Sequence, residues 1–432
     1  MRRILTNELR SHVGERVLVA GWLQHRRELS RVTFVGLRDG VGIAQVVLGA
    51  DDEVACLREL PLESVVEVEG DVVASPQAPG GAELHAPRAR SIAQAEPDPP
   101  IDLRRPRLAE GLATRLDHAP LALRHERERA KLRIAAASLG GFRSALEGLG
   151  FTEIQTPKLV GSATEGGANV FEVGYFGRTA YLAQSPQLYK QIMVGVLERV
   201  FETGPAFRAE PHETGRHLAE YVSLDAELGF VEDHTSVIAV VREAIAGMLD
   251  AVRARRDECE LLELALPEVP AEIPRVRFEE GQRLIEKATG ERVAGEPDLA
   301  PAHERWLGEW ALREHGCELL FVVGYPMEKR PFYTHPDPDR PGFSNSFDLL
   351  FRGMEIVTGG QRLHRYEDYL AALAARGLPV EPFAGYLEAF RYGMPPHGGF
   401  ALGLERWVAR LVGAANVREA TLFPRDRNRL SP

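Results

Sequence analysis

Beyond residue 150, the segments that favour β-strand come in neighbouring groups and do not alternate one by one with helices. Strands that follow one another directly usually pair antiparallel, whereas regular alternation with helices is typical of a parallel doubly wound sheet. The pattern therefore predicts a mixed α/β domain in which a largely antiparallel sheet is flanked by helices. The strand-like segments are 170–175, 200–203, 223–230, 319–323, 346–351, 354–358 and 399–402, and the helical ones are 186–197, 235–255 and 404–412.

The N-terminal part of the chain has the pattern of a small β-barrel. Four short apolar runs, at 17–22, 32–37, 42–48 and 64–74, are separated by turn-forming sequences. Short strands at this spacing are typical of a sandwich or a barrel. A five-stranded barrel of the OB type fits the length.

A proline-rich, charged segment (AEPDPPIDLRRP, residues 95–106) follows the barrel, and its prolines disfavour helix and strand pairing. Apolar residues at helical spacing then predict a long amphipathic helix over 121–149. We therefore expect an OB-fold domain at 1–98, a hinge at 99–120 and a larger α/β domain at 121–432. A chain of 432 residues agrees with two or three domains.

The composition predicts a soluble, cytoplasmic protein. Hydrophobic residues make up 44% and charged residues 27% of the chain, and no segment approaches the roughly 20 apolar residues of a membrane span. Nor does the start resemble a signal peptide. Three widely spaced cysteines form no metal-binding pattern and favour a reducing compartment. The net charge of -11 argues against a protein that coats nucleic acid through bulk charge, but it leaves local basic patches open.

The most informative chemistry is at the end of a strand-like run, where Arg208 and Glu210 are two residues apart and so share one face. A cation and an anion on a buried face need partners. A nucleotide supplies both, since its phosphate suits Arg208 and its adenine amino group suits Glu210. The alternative is a structural ion pair. The loop that follows carries Arg216 and His217.

A second informative segment is glycine-rich and lies where a strand passes into a helix (GFALGLER, residues 399–406). Glycine lets the backbone approach a planar ligand closely. Arg406 stands at the start of the predicted helix, and its guanidinium group matches the geometry of a phosphate.

Three segments together resemble the motifs of class II aminoacyl-tRNA synthetases. Segment 150–157 (GFTEIQTP) resembles the first motif, in which a helix leads into a strand at the dimer interface. Segment 207–210 (FRAE) resembles the second and 399–406 the third. A barrel that precedes them is similar to the subgroup for aspartate, asparagine and lysine. The resemblance implies a homodimer that uses ATP and binds tRNA.

The resemblance also implies the roles of individual residues in the larger domain. The catalytic residues would be Arg208, Glu355 and Arg406. Those that bind ATP would be Arg208, Glu210, Arg216, His217, Glu355, Gly403 and Arg406. Mg²⁺, which prefers oxygen ligands, would be held by Asp348, Glu355 and Thr358. The alternative is that these acids are exposed strand residues.

Segment 184–191 (QSPQLYKQ) resembles the aspartyl family within this subgroup. A β-carboxylate in a dry pocket needs cations, and Lys190 and Arg362 can supply them. The alternative for Lys190 is a solvated helix lysine. Segment 162–169 (SATEGGAN) is similar to the family's flipping loop, whose Glu165 would pair with the substrate ammonium group. The implied aspartate-binding residues are Glu165, Ser185, Gln187, Lys190, Arg208, Thr358 and Arg362.

For the barrel, the resemblance implies recognition of the tRNA anticodon, with Phe34 stacking on a base. The alternative for Phe34 is core packing. The contact residues would be His25, Arg26, Phe34, Gln45, Pro79 and Glu83. Fewer than 200 residues separate the second and third motifs, which resembles the archaeal type without an extra domain. Relatives that discriminate between tRNAs tend to carry Trp and Lys where this chain has His25 and Pro79.

We therefore expect an archaeal-type enzyme that charges both tRNA-Asp and tRNA-Asn with aspartate. An amidotransferase would then convert Asp-tRNA-Asn to Asn-tRNA-Asn. The alternatives are a discriminating enzyme that charges tRNA-Asp only, an asparaginyl-tRNA synthetase, a tRNA-independent ligase similar to asparagine synthetase, and a non-catalytic nucleic-acid-binding protein.

Overall fold

A computed structural model of the chain describes residues 2–30, 32–49, 54–161, 169–211 and 214–432. The chain forms two compact units, Met1–His125 and Glu126–Pro432. Within the described ranges, none of the helices has the length and apolar character needed to cross a bilayer. The functional boundaries expected at residues 98 and 120 stay a prediction.

The first unit is a closed five-stranded barrel with strand order β1-β2-β3-β5-β4. Inward-facing Val and Leu residues alternate with outward-facing residues and fill its core, which confirms the predicted OB-type barrel. Strand β5 was not among the four predicted runs because arginines interrupt its apolar pattern. The barrel strands are β1 Arg16–Glu28, β2 Val32–Arg38, β3 Ile43–Gly49, β4 Val65–Ala74 and β5 Ala82–Ala93.

Short helices complete the first unit. The predicted helix over 121–149 is interrupted, since α3 ends at Ala122 and the long helix of the second unit begins at Glu126. Between them, His125 contacts the carbonyl oxygen of Arg105 through Nε2 at 2.8 Å, which ties the end of this unit to the proline-rich segment. The helices are α1 Ala55–Glu59, α2 Leu112–Asp117 and α3 Ala119–Ala122.

The second unit is built on an eight-stranded sheet with strand order β12-β13-β14-β15-β16-β11-β10-β6. Only the pairs β6–β10 and β12–β13 are parallel, which confirms the predicted antiparallel character. A small sheet of order β7-β9-β8 stands beside it. The strands are β6 Thr152–Glu153, β7 Leu159–Val160, β8 Glu172–Tyr175, β9 Arg178–Leu182, β10 Arg199–Phe207, β11 Glu220–Gly229, β12 Arg275–Arg277, β13 Leu319–Val323, β14 Ser346–Phe351, β15 Met354–Arg362 and β16 His397–Gly403.

Helices cover the sheet, and α4 and α6 pack against each other over its apolar face. Their close approach requires glycine, since a Cβ on Gly141 would lie 2.4 Å from the carbonyl oxygen of Gly247. Asp233 caps α6 by accepting from the backbone N–H of Thr235 at 2.7 Å. The helices are α4 Glu126–Gly148, α5 Gln187–Leu197, α6 His234–Arg253, α7 Arg256–Leu262, α8 Phe278–Thr289, α9 Pro301–His315, α10 Tyr366–Ala375, α11 Ala384–Arg391 and α12 Leu404–Leu411.

Candidate active site and nucleic-acid interface

A cleft with about 780 Å³ of empty space lies over the sheet where β11, β15 and β16 run side by side. Segments far apart in sequence converge here because β16 pairs with both β11 and β15. The cleft collects all of the residues expected to bind ATP, together with Thr358. These are Arg208, Glu210, Arg216, His217, Glu355, Thr358, Gly403 and Arg406.

Several cleft residues were not predicted from the sequence. Tyr221 and Ser223 alternate with inward-facing residues of β11 and so share a face with Asp225 and Glu227. This alternation is the signal that could have identified them. The Arg208 guanidinium lies 6.0 Å from the centroid of the Tyr221 ring, a distance suited to a cation–π contact.

The predicted Arg208–Glu210 pair lies just beyond its strand, because β10 ends at Phe207. The backbone N–H of Arg208 still donates to the carbonyl oxygen of Ala219, at 2.8 Å. This bond holds Arg208 beside the start of β11. The carboxylate of Glu210 accepts from the Asn169 amide at 3.3 Å.

Glu355 and Thr358 share the cleft although they are three residues apart on β15. In a regular strand this spacing would put their side chains on opposite faces. However, the pairing of β14 with β15 shifts register at Leu349 and Leu350, so Ile356 is an extra residue in β15. The resulting β-bulge turns Glu355 toward the same cleft as Thr358.

The carboxylates of Asp348 and Glu355 lie in an unusual electrostatic environment. Burial, together with the negative charges of Asp348 and Glu304, raises the pKa of Glu355 to about 7, against the opposing effect of Arg406. Asp348 accepts from the Arg330 guanidinium at 3.1 Å and from the Thr358 hydroxyl at 2.7 Å. A cation beside Glu355 would therefore relieve repulsion between acids. The described ranges contain no group of three or more His, Cys, Asp or Glu side chains arranged to hold a metal ion.

Next to the cleft, on the same face of the sheet, lies a set of four buried charges. Lys190 is only 1% exposed, which excludes the solvated alternative, and its ammonium group donates to Asp225 at 3.0 Å and to the carbonyl oxygen of Phe400 at 3.0 Å. The Arg362 Nε donates to Glu227 at 2.9 Å. Burial alone would raise the pKa of Glu227, but Arg362 and Lys190 hold it below its ordinary value.

Gln187 and Ser185 complete this charged pocket. The side-chain oxygen of Gln187 accepts from Arg362 at 3.4 Å, and its amide group donates to Glu227 at 3.5 Å. The Ser185 hydroxyl accepts from the backbone N–H of Gln187 at 3.1 Å, at the start of α5. Of the predicted aspartate-binding residues, Ser185, Gln187, Lys190 and Arg362 therefore form this pocket, whereas Arg208 and Thr358 line the neighbouring cleft. Glu165 lies outside the described residues.

The two glycines of the third segment have different roles. A Cβ on Gly399 would lie 2.0 Å from the Glu227 carboxylate and 2.2 Å from the carbonyl oxygen of Ala226. At this position Glu227 and the backbone of Ala226 already require glycine. A Cβ on Gly403 would meet no atom within 4 Å, so this residue does leave the backbone open to the cleft.

On the barrel, one row of cross-strand neighbours carries several predicted anticodon contacts. His25 pairs with Gly36, Gly36 with Gln45 and Gln45 with Glu83, so these positions share the outer face. The Gln45 amide donates to Glu83 at 2.7 Å. Pro79 begins the short turn Pro79–Gly81 that leads into β5.

The other two predicted anticodon contacts, Phe34 and Arg26, lie in different surroundings. Phe34 is half-buried and outside the barrel core, which excludes core packing, and it pairs with the exposed Arg27. Arg26 instead donates to the carbonyl oxygens of Leu57 at 2.9 Å and Leu60 at 2.7 Å. Arg27, and not Arg26, is therefore the arginine that stands beside Phe34.

Sequence families match both units. Residues 111–427 match the family described as tRNA synthetases class II (D, K and N), and residues 17–92 match the OB-fold nucleic acid binding domain. The chain is 46% identical to the Aspartate--tRNA(Asp/Asn) ligase of Thermus thermophilus over 432 residues, which cover both chains completely. It is 40% identical to the Aspartate--tRNA(Asp) ligase of Pyrococcus furiosus over 439 residues, again with complete coverage of both.

Solved structures have the same fold along the whole chain. An asparaginyl-tRNA synthetase from Pyrococcus horikoshii, complexed with asparaginyl-adenylate, superposes with a TM-score of 0.93 at 31% identity and complete coverage of both chains. An aspartyl tRNA synthetase from Entamoeba histolytica gives 0.87 at 30% identity, covering 100% of this chain and 93% of the other. Together with the matched family, these similarities show that the chain belongs to the class II tRNA synthetases of the D, K and N group.

Proposed function

We propose that this chain ligates L-aspartate to tRNA in two steps and charges both tRNA-Asp and tRNA-Asn. The observation that carries the proposal is the set of buried charges formed by Lys190, Arg362, Asp225 and Glu227, which opens beside the cleft with the predicted ATP residues. Relatives from Thermus thermophilus and Deinococcus radiodurans, each 46% identical to this chain, carry the name Aspartate--tRNA(Asp/Asn) ligase.

In the charged pocket, the Arg362 guanidinium would grip the β-carboxylate of the substrate. Lys190 already donates to protein acceptors, so it would contribute its positive charge rather than a new hydrogen bond. Ser185 and Gln187 would orient the substrate, with Arg208 and Thr358 on the side of the cleft. An amide in place of the carboxylate would give Arg362 a neutral acceptor and lose the charge-assisted hydrogen bond, which favours aspartate over asparagine.

In the first step, the α-carboxylate oxygen of aspartate attacks the α-phosphorus of ATP, and the bond to the β-phosphate breaks to release pyrophosphate. Arg208 and Arg406 would stabilise the negative charge that develops on the phosphoryl oxygens. Glu210 and the loop residues Arg216 and His217 would bind the remainder of the nucleotide. No covalent intermediate with the protein is needed.

In the second step, a hydroxyl of the terminal ribose of tRNA attacks the carbonyl carbon of the aspartyl-adenylate, and AMP leaves. We propose that the hydroxyl proton passes to the phosphate of the adenylate itself, because Glu210, His217 and Glu355 of the cleft are proposed to bind ATP or Mg²⁺, and Glu405 accepts from the backbone N–H of Val222. A pH profile of the transfer step with the pKa of an essential protein base would contradict this.

Asp348, Glu355 and Thr358 would hold Mg²⁺ at the cleft. Their oxygen atoms are the donors that this ion prefers, and it commonly binds to one or two carboxylates together with substrate phosphates. The ion would supply a positive charge that neutralises the phosphates of ATP. The raised pKa of Glu355 is consistent with a site built for a cation, since two nearby acids repel its charge.

On the barrel, Phe34 would stack on an anticodon base, while His25, Gln45, Pro79 and Glu83 would contact base edges. Arg26 would contact a base edge as well, and Arg27, which lies opposite Phe34, is a further candidate for contacting the tRNA. Relaxed recognition would require an amidotransferase that converts Asp-tRNA-Asn to Asn-tRNA-Asn.

We further propose that the protein is a cytoplasmic homodimer. Segment 150–157, which includes β6, resembles the motif that forms the dimer interface in this family. The described cysteines Cys56, Cys259 and Cys317 are free thiols, which suits a reducing compartment. Light scattering would test the dimer, and a monomeric mass would contradict it.

The decisive experiment is aminoacylation with labelled aspartate or asparagine, each offered to tRNA-Asp and tRNA-Asn separately. We expect aspartate to be joined to both tRNAs. Transfer to tRNA-Asp alone would indicate a discriminating enzyme. His25 and Pro79 would then not be a sign of relaxed tRNA recognition. Conversion of aspartate to free asparagine without any tRNA would instead support a ligase similar to asparagine synthetase.

An asparaginyl-tRNA synthetase is the second candidate, because a structure of one from Pyrococcus horikoshii superposes along the whole chain. ATP–pyrophosphate exchange separates the two candidates. Exchange that depends on aspartate, and that falls in Lys190→Ala, supports the aspartyl enzyme. Exchange that depends on asparagine would mean that the pocket around Lys190 and Arg362 accepts an amide.

A further inference from the structure

Glu304 is a buried carboxylate that belongs to none of the three motif-like segments. It lies in the first turn of α9, it is 8% exposed, and it was not predicted to have a role in the site. A buried carboxylate is costly unless charged or polar partners satisfy it. Its partners therefore indicate why the fold keeps it there.

Two residues that line the cleft, Arg216 and Glu355, donate hydrogen bonds to Glu304. One carboxylate oxygen accepts from the Arg216 guanidinium and also from the backbone N–H of Glu355, the latter at 3.1 Å. The first contact joins residues 88 positions apart and the second joins residues 51 positions apart. Glu304 thus ties the loop after β10 to the start of β15.

Arg406 completes a closed ring of four residues. Its Nε donates to the carbonyl oxygen of Arg216 at 3.3 Å, and its terminal nitrogen contacts the carbonyl oxygen of Glu355 at 3.5 Å. The ring therefore joins the loop, α9, β15 and α12. Three of its members line the cleft, and Glu304 is the fourth.

We propose that Glu304 is a positioning residue for ATP, which holds the Arg216 guanidinium at the phosphate-binding end of the cleft. Arg216 is carried by a loop, and its long side chain has many rotamers, so an unrestrained guanidinium would lose conformational entropy on binding a phosphate. The bond to Glu355 and the N-terminal turn of α9 fix Glu304, which in turn fixes Arg216. This inference rests on the proposed ATP-dependent function.

The test compares Glu304→Ala and Glu304→Gln with Glu309→Gln, which changes an exposed residue of the same helix. Loss of a charge-assisted hydrogen bond predicts a rise of roughly 10- to 100-fold in the KM for ATP in pyrophosphate exchange. The KM for aspartate should stay within about twofold, since the buried charges of that pocket do not contact Glu304. Glu304→Gln keeps an acceptor oxygen and should fall between the wild type and Glu304→Ala.

A double-mutant cycle with Arg216→Ala shows whether Glu304 acts through Arg216. We expect the KM for ATP to be the same in Arg216→Ala and in the double variant, because the group that Glu304 holds is gone. The proposal would be overturned if the rise in the KM for ATP of the double variant were the product of the rises in the two single variants. It would also be overturned if the Glu304 variants raised the KM for ATP and the KM for aspartate equally. Thermal melts show whether each variant is folded. If Glu304→Ala is unfolded, the test rests on Glu304→Gln, which keeps the side-chain volume.

Direct binding of fluorescent ATP separates this proposal from the proposed function. Wild-type protein that binds ATP but does not activate aspartate would contradict the proposed function alone. Glu304→Gln and Glu309→Gln with equal affinity for ATP would contradict the role of Glu304 alone.

Discussion

Glu405 allows a quantitative prediction for the pH dependence of stability. Its carboxylate is buried in α12 and accepts from the backbone N–H of Val222 at 3.0 Å. Burial raises the pKa of Glu405 to about 7, the charge of Glu220 adds to this rise, and the Val222 N–H opposes it. The folded protein therefore holds this proton more tightly than the unfolded chain, so stability falls as the pH rises from about 4.5 to about 7.

Glu405→Gln removes this dependence and keeps an oxygen that can accept from Val222. The pKa shift corresponds to at most about 3 kcal/mol, which is an upper limit because the surroundings relax around a buried charge. For a unit of this size, that is a Tm difference of roughly 5 °C. We expect the variant to melt close to the wild-type temperature at pH 4 and up to this much higher at pH 8.

The assay is thermal unfolding of the wild type and the variant at several pH values. Because each comparison is made at one pH, the titration of all other groups cancels. Glu309→Gln, an exposed position, is the matched control and should show no pH-dependent difference. A Tm difference between Glu405→Gln and wild type that does not change from pH 4 to pH 8 would refute the reasoning, since Glu405 would then titrate normally.

Three further predictions concern the site. Arg362→Gln should raise the KM for aspartate in pyrophosphate exchange by roughly 10- to 100-fold with little change in the KM for ATP, and an unchanged KM for aspartate would exclude Arg362 as the carboxylate ligand. Phe34→Ala should raise the KM for tRNA roughly 5- to 100-fold while tRNA-independent exchange is unchanged, because stacking is worth about 1–3 kcal/mol per base. Equal use of tRNA by Phe34→Ala and wild type would argue against stacking. Gly399→Ala should abolish aspartate activation, because its Cβ would meet the Glu227 carboxylate at 2.0 Å, whereas Gly385→Ala, in open space on α11, should be active. Full activity of Gly399→Ala would show that Glu227 can move without loss.

The sequence located most secondary structure because local patterns determine it. Alternating Val and Leu residues identified four of the five barrel strands, and the grouped strands beyond residue 150 identified the antiparallel sheet. Strand β5 was missed because exposed arginines obscure its alternation. Helix α9 was not predicted, so Glu304 could not be identified from local pattern.

The candidate site was predicted where a short segment carries the chemistry by itself. Arg208, Glu210 and Arg406 were identified from local pattern. The other predicted cleft residues followed from the resemblance to a family, and Tyr221 and Ser223 were missed. For Gly399 the structure adds a requirement for glycine that the sequence does not show, since a Cβ there would meet the Glu227 carboxylate and the carbonyl oxygen of Ala226. The bulge of β1 between Leu23 and His25, after which Arg27 pairs with Phe34, cannot be read from local alternation.

The sequence by itself determined four strands of the barrel, most strands of the larger sheet, helices α5, α6 and α12, and the residue types suited to a nucleotide, because these depend on neighbours within a few positions. Only the tertiary structure decided which charges meet. Lys190 reaches Asp225 from 35 positions away, and Glu304 reaches Arg216 from 88. The bulge that turns Glu355 into the cleft likewise depends on pairing with β14. Such contacts follow from sheet register and helix packing, which bring distant segments together and leave no periodic signal in the chain.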